Sequence, residues 1–352
     1  MPPSATVHVL ICDDSPLARK QMARSLPPEW PVAVRFAQGG AEALDIIRAG
    51  GADVLFLDLN MPDVNGYDVL AAIHRDNLPC MVLIVSGDAQ PQARKWALDR
   101  GALEFIGKPV DREQLRAILQ QLGLMTPDSV GTNACQSMAE LPNPEFQDVI
   151  REVVNIAMGQ AGGRLGTLLD TFITLPIPLV HQTIYSDLLG LLSVQGESNL
   201  YAVSQGFSAR GLSGEAILLM TRQDLERLHL PHNSIAADRT AAGDEKNRLL
   251  SVLVDVCGLL AGSCLRGISE QLDLHFNHSY PVILGEDRSL DSLIGDESAG
   301  QEVLVVEICY RLEPDIVCDL LIAFTADSIP VLEQRASLLR QETEWEERNP
   351  SP

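Results

Sequence analysis

The stretch Asp148-Val-Ile-Arg-Glu152-Val-Val-Asn155 is followed by 22 residues and then by Pro178. On an α-helix its two acids and its amide fall at positions i, i+4 and i+7, so they share one polar stripe. Apart from Arg151 the residues between them are apolar, and the other faces of the helix can therefore pack on a core. A solvated helix face has the same pattern. If the stripe is functional, it predicts a carboxylate and a carboxamide that face outward, one turn apart.

A second copy of this pattern lies 103 residues further along the chain. The matched pairs are Asp148 with Ser251, Glu152 with Asp255, Asn155 with Gly258, and Pro178 with Pro281. The same offset relates Asp170 to Asp273. An internal repeat of this length predicts two similar units packed about a pseudo-twofold axis. Because the second copy has lost the amide and shortened the acid, we expect one intact site and one degenerate site.

The first copy resembles the signature of the CheC/CheX/FliY phosphatases of bacterial chemotaxis. That signature is an acid or serine, three residues, glutamate, two residues, asparagine, 22 residues and proline. All four fixed positions match in the first copy, and the resemblance covers roughly residues 144–340. The resemblance implies an enzyme that hydrolyses the aspartyl phosphate of CheY-like receivers. It implies that Asn155 positions the hydrolytic water and that Glu152 anchors the lysine of the target, with Asp148 and Pro178 in support.

The chemistry of an acyl phosphate suits this assignment, because the bond is labile and the enzyme needs no nucleophile of its own. A carboxamide can both donate a hydrogen bond to a water and accept one from it, without adding charge near the phosphoryl oxygens. The alternative is a non-catalytic interaction module that phosphorylation switches. The resembling family includes the middle domain of FliM, which lacks the acid–amide pair, and CheC-type proteins also bind the deamidase CheD. The presence of Asn155 favours catalysis.

Residues 1–124 alternate apolar strands with amphipathic helices, which predicts a doubly wound parallel sheet of five strands. In such folds functional groups gather at the carboxyl ends of the strands. Five side chains lie at predicted strand ends: Asp13, Asp14, Asp58, Ser86 and Lys108. Three clustered carboxylates repel one another and favour a hard divalent cation, for which Mg²⁺ fits best.

This segment resembles, over its whole length, the receiver domain of two-component response regulators. The resemblance implies that Asp58 accepts the phosphoryl group and that a histidine kinase donates it. The implied magnesium ligands are Asp13, Asp14, Asp58 and the backbone carbonyl of Asn60. The implied switch residues are Ser86, Phe105 and Lys108, and Pro109 would follow a cis peptide bond.

The predicted organisation is a receiver domain over residues 1–124, a linker over 125–144 and a CheC-like α+β domain over 145–345. The repeats within that last domain are predicted at about 145–235 and 245–341. Each repeat reads as a helix, three strands of a mostly antiparallel sheet, and a second helix.

Charge and composition exclude several classes of partner. The net charge is −22, of which residues 1–124 contribute about −3, so the remainder is strongly acidic. Such a surface repels nucleic acid and anionic lipid. No 18-residue run is wholly apolar and no signal-peptide pattern opens the chain, so we expect a cytoplasmic protein.

Overall fold

The computed structural model describes residues 6–125, 144–184, 200–228, 245–288, 302–312 and 315–348. The chain forms two compact units, Met1–Glu152 with Arg340–Pro352, and Val153–Leu339. The predicted linker at 125–144 and the end of the first predicted repeat lie almost wholly outside the described residues. The domain bounds deduced from the sequence stay a prediction.

Five parallel strands form the sheet of the first unit, in the order β2-β1-β3-β4-β5. They are β1 (Val7–Cys12), β2 (Val32–Ala37), β3 (Val54–Leu57), β4 (Met81–Ser86) and β5 (Glu104–Gly107). The helices that connect them are α1 (Pro16–Ser25), α2 (Gly40–Arg48), α3 (Gly66–Arg75), α4 (Pro91–Asp99) and α5 (Arg112–Gln121). The predicted α/β fold with five parallel strands is confirmed.

Burial and capping explain why these segments form the elements they do. Strand β3 is buried along its whole length, as expected for the centre of a sheet covered on both faces. The side chain of Ser15 caps α1 by accepting a hydrogen bond from the backbone N–H of Ala18. The side chain of Asn65 caps α3 in the same way through Asp68. Each cap lies in the loop that follows a strand and its acidic residue, and it fixes the residue at which that loop ends and the helix begins.

The second unit is built on an eight-stranded sheet in which every recorded pairing is antiparallel. Its strands are β6 (Ile173–Thr174), β7 (Leu179–Ile184), β8 (Leu200–Ala209), β9 (Leu212–Thr221), β10 (Asn277–His278), β11 (Val282–Arg288), β12 (Glu302–Leu312) and β13 (Ile316–Thr325). The helices are α6 (Phe146–Leu169), α7 (Arg222–Arg227), α8 (Glu245–Leu272) and α9 (Ile329–Arg348), with a 3₁₀ turn at Ala326–Ser328. Helix α6 begins in the first unit and continues into the second.

The 103-residue offset relates backbone conformation as well as sequence. Asp170 directly follows α6 and has a φ of 50°, and Asp273 directly follows α8 and has a φ of 49°. An acidic side chain tolerates this left-handed region better than most non-glycine residues do. Strand β7 of the first copy pairs with β12 of the second, and β11 of the second pairs with β8 of the first. The pseudo-twofold packing itself stays a prediction.

The two-residue strands β6 and β10 were not predicted from the sequence. Strands this short carry too few residues for an alternating pattern to appear. A 3₁₀ turn covers Ala326–Ser328, and α9 begins at Ile329 with Pro330 in its first turn. Proline is tolerated there because the first N–H groups of a helix have no intrahelical partner.

One described helix is long and apolar enough to cross a membrane by length and composition alone. It covers Asn247–Leu272 with a mean hydropathy of 1.8, and 56% of the window is buried inside the protein. Leu249, Leu253 and Leu260 of this helix are fully buried. A core helix of a soluble protein has the same composition, so this helix is weak evidence for a membrane span.

Candidate active site

Three strand ends of the first unit meet around the ammonium group of Lys108, which follows β5. Its Nζ lies 2.7 Å from Oδ2 of Asp13, which follows β1, and 3.1 Å from Oδ1 of Asp58, which follows β3. The side chains of Lys108, Asp13 and Asp58 are only 6%, 7% and 1% exposed. The parallel topology therefore joins, in one buried cluster, groups that are far apart in sequence.

The acids in this cluster outnumber the cation that neutralises them. Burial raises the pKa of Asp58; Lys108 opposes that rise, whereas Asp13, Glu152 and Asp14 add to it. Burial and the neighbouring Asp13 raise the pKa of Asp14 to about 7. Burial acts to lower the pKa of Lys108, but the surrounding acids raise it well above its usual value. The site thus holds more negative charge than one ammonium group balances.

This charge excess fits a magnesium ion, which would supply positive charge beside the phosphoryl oxygens. Among the described residues no three His, Cys, Asp or Glu side chains already form a metal-binding group. Mg²⁺ does not require such a group, since it usually keeps several waters and takes one or two carboxylates plus phosphate oxygens. The residues that would hold it are Asp13, Asp14, Asp58 and the carbonyl of Asn60. The backbone N–H of Asn60 donates to Asp58 Oδ2 at 2.8 Å, which fixes that loop.

Two residues that the sequence analysis did not single out organise the acidic loop. Arg19 is 1% exposed, and its Nη1 donates to the carbonyl oxygens of Asp13 at 2.6 Å and Asp14 at 3.1 Å. The backbone N–H of Ser15 donates to Asp13 Oδ1 at 2.9 Å. The only sequence signal for Arg19 is its place one turn after the Ser15 cap of α1, where its side chain can reach back toward the loop.

Two of the predicted switch residues lie on β4, which pairs with β3, and on β5, which pairs with β4. Ser86 ends β4, is 1% exposed, and its Oγ accepts a hydrogen bond from the N–H of Asp88 at 3.2 Å. Phe105 lies on β5 and is 7% exposed. The peptide bond between Lys108 and Pro109 is cis, as the resemblance to receiver domains implied. The switching roles of these residues stay predictions.

The expectation that Glu152 and Asn155 face outward is wrong. Glu152 is 4% exposed, and its Oε1 lies 3.2 Å from Nζ of Lys108 within the first unit. Burial raises the pKa of Glu152, and the ammonium group of Lys108 opposes that rise. A buried carboxylate requires partners of this kind, and the sequence of one helix gives no sign that they are present. Asn155 is 8% exposed, and its Oδ1 has no hydrogen-bond partner among the described residues.

The supporting positions of the motif have structural roles. Asp148 Oδ2 accepts a hydrogen bond from the N–H of Glu145 at 3.0 Å, and Arg151 donates to its Oδ1 at 3.4 Å. The first contact satisfies an N–H group at the start of α6, as the acid of a capping box does. Pro178 is buried and directly precedes β7.

The second copy offers no acid–amide pair. Ser251 Oγ donates to the carbonyl oxygen of Asn247 at 2.9 Å, within α8. Asp255 is partly buried, and Gly258 is exposed with nothing within 4 Å of where a Cβ would lie. Pro281 precedes β11. The open space at Gly258 is consistent with the predicted degeneracy of this site, whose role stays untested.

Replacing Gly66 with alanine should displace the loop that carries Asp58. The added methyl would collide with the carbonyl oxygen of Asp58 and would lie 2.7 Å from Cα of Leu59. Both neighbours are backbone and cannot rotate away, so we expect a loss of about 1–3 kcal/mol in the free energy of unfolding. Urea denaturation measures this loss, and labelling by acetyl phosphate should also slow.

Gly39→Ala is the matched control for this substitution. Nothing lies within 4 Å of a methyl at Gly39, so its free energy of unfolding should stay close to that of the parent protein. Equal stability of the Gly66 and Gly39 variants would contradict the packing described around Asp58.

Comparison with known proteins assigns the first unit. The family model described as the response regulator receiver domain matches residues 9–120. The probable transcriptional regulatory protein NarL of Mycobacterium tuberculosis is 34% identical over 168 residues, which are 46% of this chain and 78% of that protein. Protein-glutamate methylesterase/protein-glutamine glutaminase 1 of Caulobacter vibrioides is 32% identical over 173 residues, 47% of this chain and 50% of that protein.

Among solved structures, the crystal structure of Thermotoga maritima FliY covers 58% of this chain and 99% of its own. It is 23% identical with a TM-score of 0.38. A likeness at that level carries no argument about the fold or activity of the second unit.

Proposed function

Because this chain belongs to the response regulators that carry a receiver domain, we propose that its output is hydrolysis of receiver aspartyl phosphate. The receiver is the regulatory part, with Asp58 as phosphoacceptor, and residues 145–345 are a CheC-like phosphatase domain. The observation that carries this proposal is the ion pair between Glu152 of the repeat motif and Lys108 of a receiver site, at 3.2 Å. It supports the idea that the motif acid recognises the lysine of a receiver.

In the receiver, a histidine kinase is the proposed donor, and Asp13, Asp14, Asp58 and the Asn60 carbonyl are the proposed magnesium ligands. Phosphorylation adds about −1.5 to −2 of charge and three acceptor oxygens beside Lys108. Ser86 and Phe105 would repack in response and bias a two-state surface around β4 and β5.

In the phosphatase step, Glu152 is the anchor and Asn155 is the group that positions water. The two side chains stand three residues apart on α6, so they project from the same side of a continuous helix. The buried Oδ1 of Asn155 supports this role, since a buried acceptor without a partner is unfavourable by about 1–3 kcal/mol and calls for a donor. A water that donates to Oδ1 would meet this need and would be oriented by it.

The remaining assignments follow from these roles. The substrate class is phosphorylated CheY-like receivers, and a CheD-like protein is a further proposed partner. Cytoplasmic localisation and membership of a chemotaxis pathway are part of the same proposal, and nucleic acid and membrane are not proposed partners.

The test is the release of inorganic phosphate from acyl phosphate, in intact protein with Mg²⁺ present. The full chain, phosphorylated on Asp58 by acetyl phosphate, and a phosphorylated CheY-like receiver are both offered as substrates. We expect Asn155→Ala to slow total release about 100-fold, because loss of positioning alone can have that effect. Gln147→Ala, an exposed position on the same helix, should leave release unchanged. Equal release by Asn155→Ala and the parent protein rules out this mechanism.

The burial of Glu152 and Asn155 favours a second candidate, a non-catalytic module that phosphorylation switches. In that case the contact between Glu152 and Lys108 stabilises an inactive state, and the output is the binding of a partner. This candidate predicts no Asn155-dependent phosphate release and a partner affinity that does not change in Asn155→Ala.

A further inference from the structure

We propose, resting on the proposed function, that the substrate of this phosphatase site is the aspartyl phosphate of the same chain. Lys108, the residue that Glu152 contacts, belongs to the chain's own receiver site and lies 3.1 Å from the phosphoacceptor Asp58. The protein therefore limits the lifetime of its own phosphorylated state.

The contact has the features of a specific site. The side chains of Glu152 and Lys108 are 4% and 6% exposed, so solvent does not screen the ion pair as it would on the surface. Replacing one partner of a buried pair of this kind leaves the charge of the other uncompensated.

Glu152 shares its helix with Asn155. Glu152 and Asn155 lie on α6, which is continuous from Phe146 to Leu169. The carboxamide of Asn155 follows the carboxylate of Glu152 by about one turn and projects from the same side of this helix.

Tethering favours the chain's own receiver over a free one. Two sites joined within one chain meet at an effective concentration on the order of millimolar when the linker can span them. The chain between Lys108 and Glu152 is long enough to let them meet, because the two side chains are in contact. A separate receiver in the micromolar range would have to displace it.

The chemical step balances without any further reactant. The oxygen of a water attacks phosphorus, and the bond between phosphorus and the Asp58 carboxylate oxygen breaks with its electron pair staying on Asp58. The dianionic acyl phosphate and one water give the Asp58 carboxylate and dihydrogen phosphate. Both protons of the water end on the phosphate, so Asn155 orients the water and need not act as a base.

The experiment separates hydrolysis within one chain from hydrolysis between chains. Full-length protein is labelled with acetyl phosphate, the donor is removed by desalting, and label loss is followed in Mg²⁺ buffer across a 100-fold dilution series. Phosphorylated Asn155→Ala is also mixed with unlabelled Asp58→Asn, which retains Asn155 but has no acceptor. Glu152→Gln tests the anchor, with Glu145→Gln, exposed just before α6, as its matched control.

We expect a rate constant independent of dilution, about 100-fold slower loss in Asn155→Ala, and slower loss in Glu152→Gln but not in Glu145→Gln. We also expect Asp58→Asn not to accelerate the phosphorylated Asn155→Ala protein. Acceleration in that mixture, or a rate that falls with dilution, overturns the proposal. If a free phosphorylated receiver is hydrolysed while the chain's own label persists, the proposal fails and the proposed function stands. If Asn155→Ala has no effect on either substrate, both fail.

Discussion

Asp58→Asn should abolish phosphate incorporation from acetyl phosphate. Asp58 is 1% exposed at the end of β3, and its Oδ1 faces the ammonium group of Lys108 at 3.1 Å. A neutral amide there has no carboxylate oxygen to form the acyl phosphate, although it has the same shape and can still hydrogen-bond. Hydroxylamine-labile label on the intact protein, counted after desalting, measures the effect.

Asp68→Asn is the matched control, because it makes the same change at an exposed residue of α3. It should label like the parent protein. Undiminished labelling of Asp58→Asn would show that another residue is the acceptor, and the assignment of Asp58 would be wrong.

The second large effect is on stability. Lys108→Met should lower the free energy of unfolding by about 3–5 kcal/mol, the usual consequence of removing one partner of a buried charge pair. Lys108 contacts Asp13, Asp58 and Glu152 at 2.7, 3.1 and 3.2 Å, so its loss leaves three buried acids without their common cation. Urea denaturation in Mg²⁺-free buffer measures the change.

Lys95→Met, on the exposed face of α4, controls for the loss of a lysine and should change stability little. Added Mg²⁺ should raise the denaturation midpoint of Lys108→Met more than that of the parent protein, since a divalent cation can replace the missing charge. A loss under about 1 kcal/mol, the range of surface ion pairs, would contradict the buried cluster.

The receiver could be predicted from sequence because its evidence is local. Apolar strands such as 54–57 are recognisable one at a time, and parallel topology then requires that groups at strand ends such as Asp13, Asp58 and Lys108 meet. The same reasoning could not find Arg19, whose contacts are with backbone carbonyls and leave no pattern in residue types.

The orientation of Glu152 could not be predicted because it depends on a partner far away in sequence. A polar stripe on a helix looks the same whether water or Lys108 satisfies it, and the two residues are 44 positions apart. The repeat could be predicted because its offset is constant along the sequence. In the structure, Asp170 and Asp273, which this offset relates, both have a positive φ. Each copy also pairs one of its strands with a strand of the other copy, β7 with β12 and β11 with β8. Such pairing depends on two distant segments, so neither segment alone predicts it.

The half-life of the phosphoryl group on Asp58 in the intact chain is the most direct measure of whether α6 acts on the receiver it contacts. Parent protein and Asn155→Ala are labelled side by side, freed of donor and kept at one concentration with Mg²⁺. We predict a half-life about 100-fold longer in Asn155→Ala. Identical half-lives would show that the carboxamide takes no part, leaving the Glu152–Lys108 contact as a structural tie alone.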